Sequence, residues 1–161
     1  MRIFAFCVLA IFVIACTDTP TPTGATCPDS NNPQFTWENF GNDFMCHYCT
    51  NCHDSSLKLN QRNGAPLFHD LDTLLGVMEV AVHTDEQAAW GPKVHNSFMP
   101  GAGTGGRCPS ELGGSLDEDC PEPTSQERLN LGVFLACEKE RPQDYQMAVP
   151  SNHCANYTGP H

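Results

Sequence analysis

The chain has 161 residues, with 8 Lys or Arg against 19 Asp or Glu and a formal charge of −11. So few cations exclude the basic footprint that nucleic-acid binding depends on, and the length suits one domain of ordinary size. Ten cysteines and seven histidines are a dense supply of metal and redox chemistry for such a chain.

Residues 1–15 place Arg2 before a nearly unbroken apolar run, too short to span a bilayer comfortably, and read as a secretory signal. The run closes on Val13-Ile14-Ala15-Cys16, which resembles the bacterial lipobox. That resemblance implies cleavage before Cys16, lipidation of its thiol and a lipid-anchored protein of the bacterial cell envelope, on the periplasmic or outer-membrane face. The alternative is an ordinary signal peptide with an incidental Cys16. Residues 16–34 are Thr, Pro, Asn and Asp with little to bury and predict an extended tether.

Residues 35–140 carry the apolar periodicity of a folded domain. Thr36, with Asn39 three residues on, predicts a helix start, and Trp37, Phe40, Gly41, Phe44, Met45 and Tyr48 form one helical stripe. Gly41 lowers helix stability in mid-stripe, which calls for the close approach of another helix.

The stripe leads into Cys49-Thr50-Asn51-Cys52-His53. A Cys-x-x-Cys-His run is the attachment signature of a c-type haem: two thiols within one turn add to two vinyl groups on one porphyrin edge, and the next imidazole lies under the iron. Cys46 creates rivals, because Cys46-x-x-Cys49-x-x-Cys52 also opens an iron–sulfur motif, and with His47 and His53 it offers a zinc knot. The iron–sulfur pattern lacks its fourth Cys, since Ser56 and Leu57 stand where Cys-Pro is required. Export also favours haem, which is attached outside the cytoplasmic membrane.

Beyond the motif, residues 55–66 predict a polar loop ending in the turn Asn63-Gly64-Ala65-Pro66. Asp70 or Asp72 is expected to cap a helix with Leu71, Leu74, Leu75, Met78 and Val82 on one side. Thr84 or Asp85 is expected to start a short segment, 85–90, closed by Gly91-Pro92. The last helix opens on the capping box Thr124-x-x-Glu127 and carries Leu129, Leu131, Val133, Phe134 and Leu135.

These features together resemble the class I cytochromes c over about residues 35–138. In that family a small residue eight positions before the first haem Cys lies where the first and last helices cross, and Gly41 is eight before Cys49. Phe134 matches the aromatic that fills the crossing. The resemblance implies an all-α fold, three to five short helices wrapped around one covalent haem c, with long disulfide-tied loops. It implies His53 as the proximal iron ligand, with its other nitrogen bonded to the carbonyl of Pro66. Met99, in Phe98-Met99-Pro100 before the Gly-rich 101–106, matches the distal ligand, and His95, His83 or His69 would give a bis-His alternative. Met45 and Met78 read as core. The implied function is one-electron transfer by a membrane-tethered carrier, not an enzyme, between redox protein partners, with the acidic surface available to steer a basic one. The chain departs from the family in Cys46 and in the insertion between Cys108 and Cys120.

With Cys7 leaving in the signal segment, six cysteines remain: Cys27, Cys46, Cys108, Cys120, Cys137 and Cys154. Cys108 with Cys120 is the most local pair, and Cys137 has Cys27, Cys46 or Cys154 as partners, with residues 141–161 a tail held by Cys154. Two other functions fit the same residues: a haem sensor or small-ligand binder, and a zinc-stabilised extracytoplasmic interaction module.

Overall fold

Thr36 starts the first helical run with both halves of a capping box: its Oγ1 accepts from Asn39 N at 3.3 Å, and its own N–H donates to Asn39 Oδ1 at 2.7 Å. In this computed structural model, which describes residues 20–99, 122–141 and Cys154, the run winds first as a π-helical turn, Trp37–Gly41. It continues as α1 (Asn42–Tyr48) and, after a brief break at Cys49, as α2 (Thr50–His53). Cys49 N still donates to Met45 O and His53 N to Cys49 O, at 2.8 and 3.0 Å, so the motif ends one nearly continuous helical rod. The signal segment, Cys16 and the Cys108 and Cys120 pair lie outside the described residues.

Against this rod packs α5 (Ser125–Glu140), whose start is fixed by Thr124 and Glu127: Glu127 N donates to Thr124 Oγ1 at 3.2 Å and Thr124 N to Glu127 Oε2 at 2.8 Å. The crossing lies at Gly41. A Cβ there would be 2.5 Å from Phe134 Cζ, so only glycine admits the buried Phe134 ring. Trp37, Phe44, Met45, Leu131, Phe134 and Leu135 form the core around it, and Phe35, Phe40, Phe44 and Tyr48 stack in series at 5.1, 5.5 and 5.0 Å between centroids. Tyr48 also donates its hydroxyl to Glu127 Oε1 at 3.0 Å, joining the end of α1 to the foot of α5.

The middle of the chain differs from expectation. Two helices, α3 (Leu74–Glu79) and α4 (Ala81–Ala88), replace the single one, and the cap of α3 is Thr73, which accepts from Gly76 N at 3.0 Å. Neither aspartate is available to cap. Asp72 is buried and accepts from Ser55 N and Oγ, while Asp70 is paired with Arg62. Thr84 and Asp85, expected to begin a new segment, lie inside α4. The remaining described residues are loop apart from a 3-10 turn at Leu59–Gln61, with no strand and an isolated bridge between Trp90 and His95.

The stretch read as a tether to residue 34 is folded onto the domain over part of its length. Thr21, Thr23 and Ala25 are buried, and Asp85 on α4 accepts from Thr23 N at 2.7 Å and Thr23 Oγ1 at 3.0 Å. Small hydroxyl side chains satisfied by one buried carboxylate need no apolar signal, so composition concealed them. Two disulfides, Cys27 to Cys137 and Cys46 to Cys154, close loops with sequence separations of 110 and 108. Loops of this size correspond to roughly 4 to 5 kcal/mol each in the chain-entropy account. With α helices and these two bridges, the described part is a small all-α fold.

Candidate functional site

Cys49 and Cys52 are the two cysteines in thiol form among the described residues. Cys49 is buried between α1 and α2, and burial pushes its thiol up to about 12, against the opposing pull of the Arg128 charge. Cys52 is half-buried; burial raises its pKa too, while a hydrogen bond with the Asn63 side chain works the other way. Both therefore stay neutral thiols at physiological pH rather than thiolates primed for oxidation. Asn63 reaches Cys52 from a tight turn in which Asn63 and Gly64 both have positive φ, 50° and 92°, closed by Ala65 N to Arg62 O at 2.9 Å.

His53 ends α2 with its ring oriented by its neighbours. Its Nδ1 lies 3.0 Å from the His69 carbonyl, and burial, assisted by the Arg62 charge, keeps its pKa below the ordinary value despite that bond and Asp70. The neutral imidazole therefore carries its proton on Nδ1 and directs the Nε2 lone pair elsewhere, as a metal-ligating histidine must. This is a correction to the sequence reading in one respect. The acceptor is His69, because Pro66 offers its carbonyl to Arg62 Nη2 at 2.7 Å and to His69 N at 3.2 Å.

Arg62 organises this loop. Its side chain is 1 % exposed, and it donates from Nη1 to Asp54 O at 2.9 Å and Asp70 Oδ1 at 2.7 Å, and from Nη2 to Pro66 O and to His69 O at 2.8 Å. Leu71 N donates to His53 O at 2.7 Å, and Asp72 holds Ser55, so the chain leaves His53 and returns behind it. The His69 ring is 6.2 Å from that of His53 and stacks on His83 at 4.8 Å. The His69 main-chain carbonyl lies on the Nδ1 side of His53.

Met99 lies on a second loop, held by a second buried arginine. Its N–H donates to Gln87 O at 2.9 Å, and its carbonyl accepts from Arg128 Nη1 at 2.8 Å. The same Nη1 reaches Ala88 O at 3.0 Å and Asn96 O at 3.3 Å. Arg128 is thereby shared between the Met99 loop, which it grips, and Cys49, whose thiol feels its charge. His95, the remaining histidine considered for the distal role, stacks on Trp90 at 4.5 Å.

Neither arginine stands out in the sequence. Arg128 did leave a sign: it shares the apolar face of α5 with Leu131 and Leu135, three and seven residues on, where a cation must find buried acceptors. Arg62 sits in an aperiodic loop and leaves none.

The residues present fit a covalent haem. Two neutral thiols a helical turn apart precede an imidazole whose second nitrogen is already bonded to a carbonyl, and the two loops expose Leu67 and Phe68 on one and Phe98 and Met99 on the other, apolar surface of the kind a porphyrin packs against. The iron–sulfur and zinc readings fit less well, because Cys46, which both draw on, is bonded to Cys154. Comparison with protein-family models, curated proteins and solved structures found no match.

Proposed function

We propose that this chain is a c-type cytochrome that binds one haem covalently through Cys49 and Cys52 and works as a one-electron carrier tethered by lipid at Cys16. The observation that carries the reading is the local set at the end of α2: a free thiol pair beside an imidazole fixed through Nδ1. Haem bound there supplies the ferric–ferrous couple. Cys49 and Cys52 would each add their S–H across one haem vinyl group, the sulfur bonding one carbon and the hydrogen going to the other, so that the C=C becomes a single bond and nothing is released. His53 would hold the iron through Nε2, with its ring kept from rotating by the bond from Nδ1 to the His69 carbonyl. Met99 would offer its thioether sulfur to the same iron, with Arg128 fixing the backbone that presents it. A neutral sulfur ligand favours the reduced iron and a high potential. Redox protein partners in the bacterial cell envelope are the corresponding donors and acceptors.

The test is an absorption spectrum of the chain produced with haem-attachment machinery, with carbon monoxide added to the ferrous form. A low-spin spectrum that carbon monoxide leaves unchanged, and that shifts readily in Met99→Ala, is the expected outcome. A wild-type spectrum that shifts at once makes the protein a ligand-binding sensor instead. A colourless protein containing zinc removes haem from the account.

A further inference from the structure

The His69 carbonyl receives two donors: His53 Nδ1 at 3.0 Å and Arg62 Nη2 at 2.8 Å. A carbonyl oxygen has two lone pairs, so this one is filled. The second donor belongs to a cation, and charge-assisted hydrogen bonds are the stronger kind. Its placement has a cost visible in the structure: Arg62 Nε is buried with no partner, although the guanidinium has been carried fully into the interior. A buried donor left without a partner is destabilising. The fork could be satisfied more cheaply at the surface with Asp70, whose side chain is 32 % exposed. What burial adds is the grip on Pro66 and on the carbonyl behind His53.

We infer that Arg62 is a positioning residue for His53 that limits how strongly the His69 carbonyl draws on the Nδ1 proton, with Asp70 opposing it. This rests on the haem reading above. A carbonyl acceptor on Nδ1 makes an imidazole a better electron donor to metal. A cation sharing that acceptor weakens the effect, leaves less electron density on Nε2 and favours the reduced metal. Asp70 is the counter-charge, since neutralising it would strengthen the pull of Arg62 on the carbonyl. His69 contributes only its main chain, so no side-chain substitution there could do the same.

The experiment is spectroelectrochemical titration of the haem-loaded full chain at pH 7 in four variants. Arg62→Gln should lower the midpoint potential, Arg62→Lys should lower it less because the charge stays while the fork is lost, and Asp70→Asn should raise it. Asp54→Asn is the control: it removes a carboxylate from the same loop, one whose side chain bonds Ser56 and not Arg62, and should move the potential least. If Arg62→Gln does not accumulate, Arg62→Lys and Asp70→Asn decide, since each keeps one member of the pair. Potentials that stay at the wild-type value, or an Asp54→Asn shift as large as that of Asp70→Asn, overturn the inference and leave the haem reading standing. Wild-type protein without covalent haem overturns both.

Discussion

Arg62 and Arg128 are buried to similar extents, 1 % and 3 % exposed, yet they support their loops in different ways. Arg62 belongs to the loop it organises. Its own position depends on Asp54, Pro66, His69 and Asp70, and theirs in part on it, so the guanidinium and its partners hold one another in place. Arg128 projects from the first turn of α5, a helix set in place by its capping box and by the packing of Leu131, Phe134 and Leu135. It reaches out to the carbonyls of Ala88, Asn96 and Met99 from a fixed base. The contrast teaches that the His53 side is built as a mutual lock and the Met99 side as a loop hung from a prepared helix. On the haem reading proposed above, the His53 imidazole would be held fixed while the Met99 ligand could be adjusted separately.

The largest effect should come from breaking the lock. Arg62→Ala removes the guanidinium bonds to the carbonyls of Asp54, Pro66 and His69 and leaves Asp70 without its buried partner, and is expected to destabilise the protein by about 3 kcal/mol, read as a lower urea midpoint. Arg128→Ala should cost less, about 1 to 2 kcal/mol, because α5 keeps its cap and core. Its signature lies elsewhere: carbon monoxide should displace Met99 from ferrous haem more readily than in wild type, with the His53 side intact. Equal destabilisation by the two variants, with no difference in carbon monoxide binding, would erase the comparison.

The smallest effect tests whether α5 is the base from which Arg128 works. Burial acts against the Glu127 carboxylate, but hydrogen bonds from Thr124 and Tyr48 outweigh it and hold its pKa below the ordinary value. A depressed carboxylate contributes stability that is fully present above its unfolded pKa, about 4.3, and is lost as pH falls through the lower folded value. Urea unfolding between pH 6 and pH 3 should therefore show the wild type losing its advantage over Glu127→Gln as the solution is acidified. An advantage that stays constant would mean that the carboxylate contributes nothing to the foot of the helix.

What the sequence made legible were features carried by neighbours in the chain. Thr36 with Asn39 and Thr124 with Glu127 announce helix starts because a capping box is complete within four residues. Gly41 in an apolar helical stripe asks for the close approach of another helix, and the family resemblance is what named Phe134 as the ring that meets it. Cys49, Cys52 and His53 are themselves a local pattern. What stayed hidden depends on partners far along the chain. Asp72 looks like a helix cap until Ser55 claims it, and Asp70 until Arg62 does. Thr21 and Thr23 look like tether until Asp85, more than sixty residues away, receives them. The bridges Cys27 to Cys137 and Cys46 to Cys154 were among many pairings open to six cysteines, and local spacing could not choose between them.

The central claim is that Cys49 and Cys52 hold haem by covalent bonds, and acid–acetone extraction of the loaded chain tests it most directly, followed by intact mass measurement. Colour should remain with the precipitated polypeptide, whose mass is raised by one haem, and should pass into the acetone when Cys49 and Cys52 are both replaced by Ala. Pigment that leaves the wild-type chain, or a wild-type mass with no haem on it, would contradict the account.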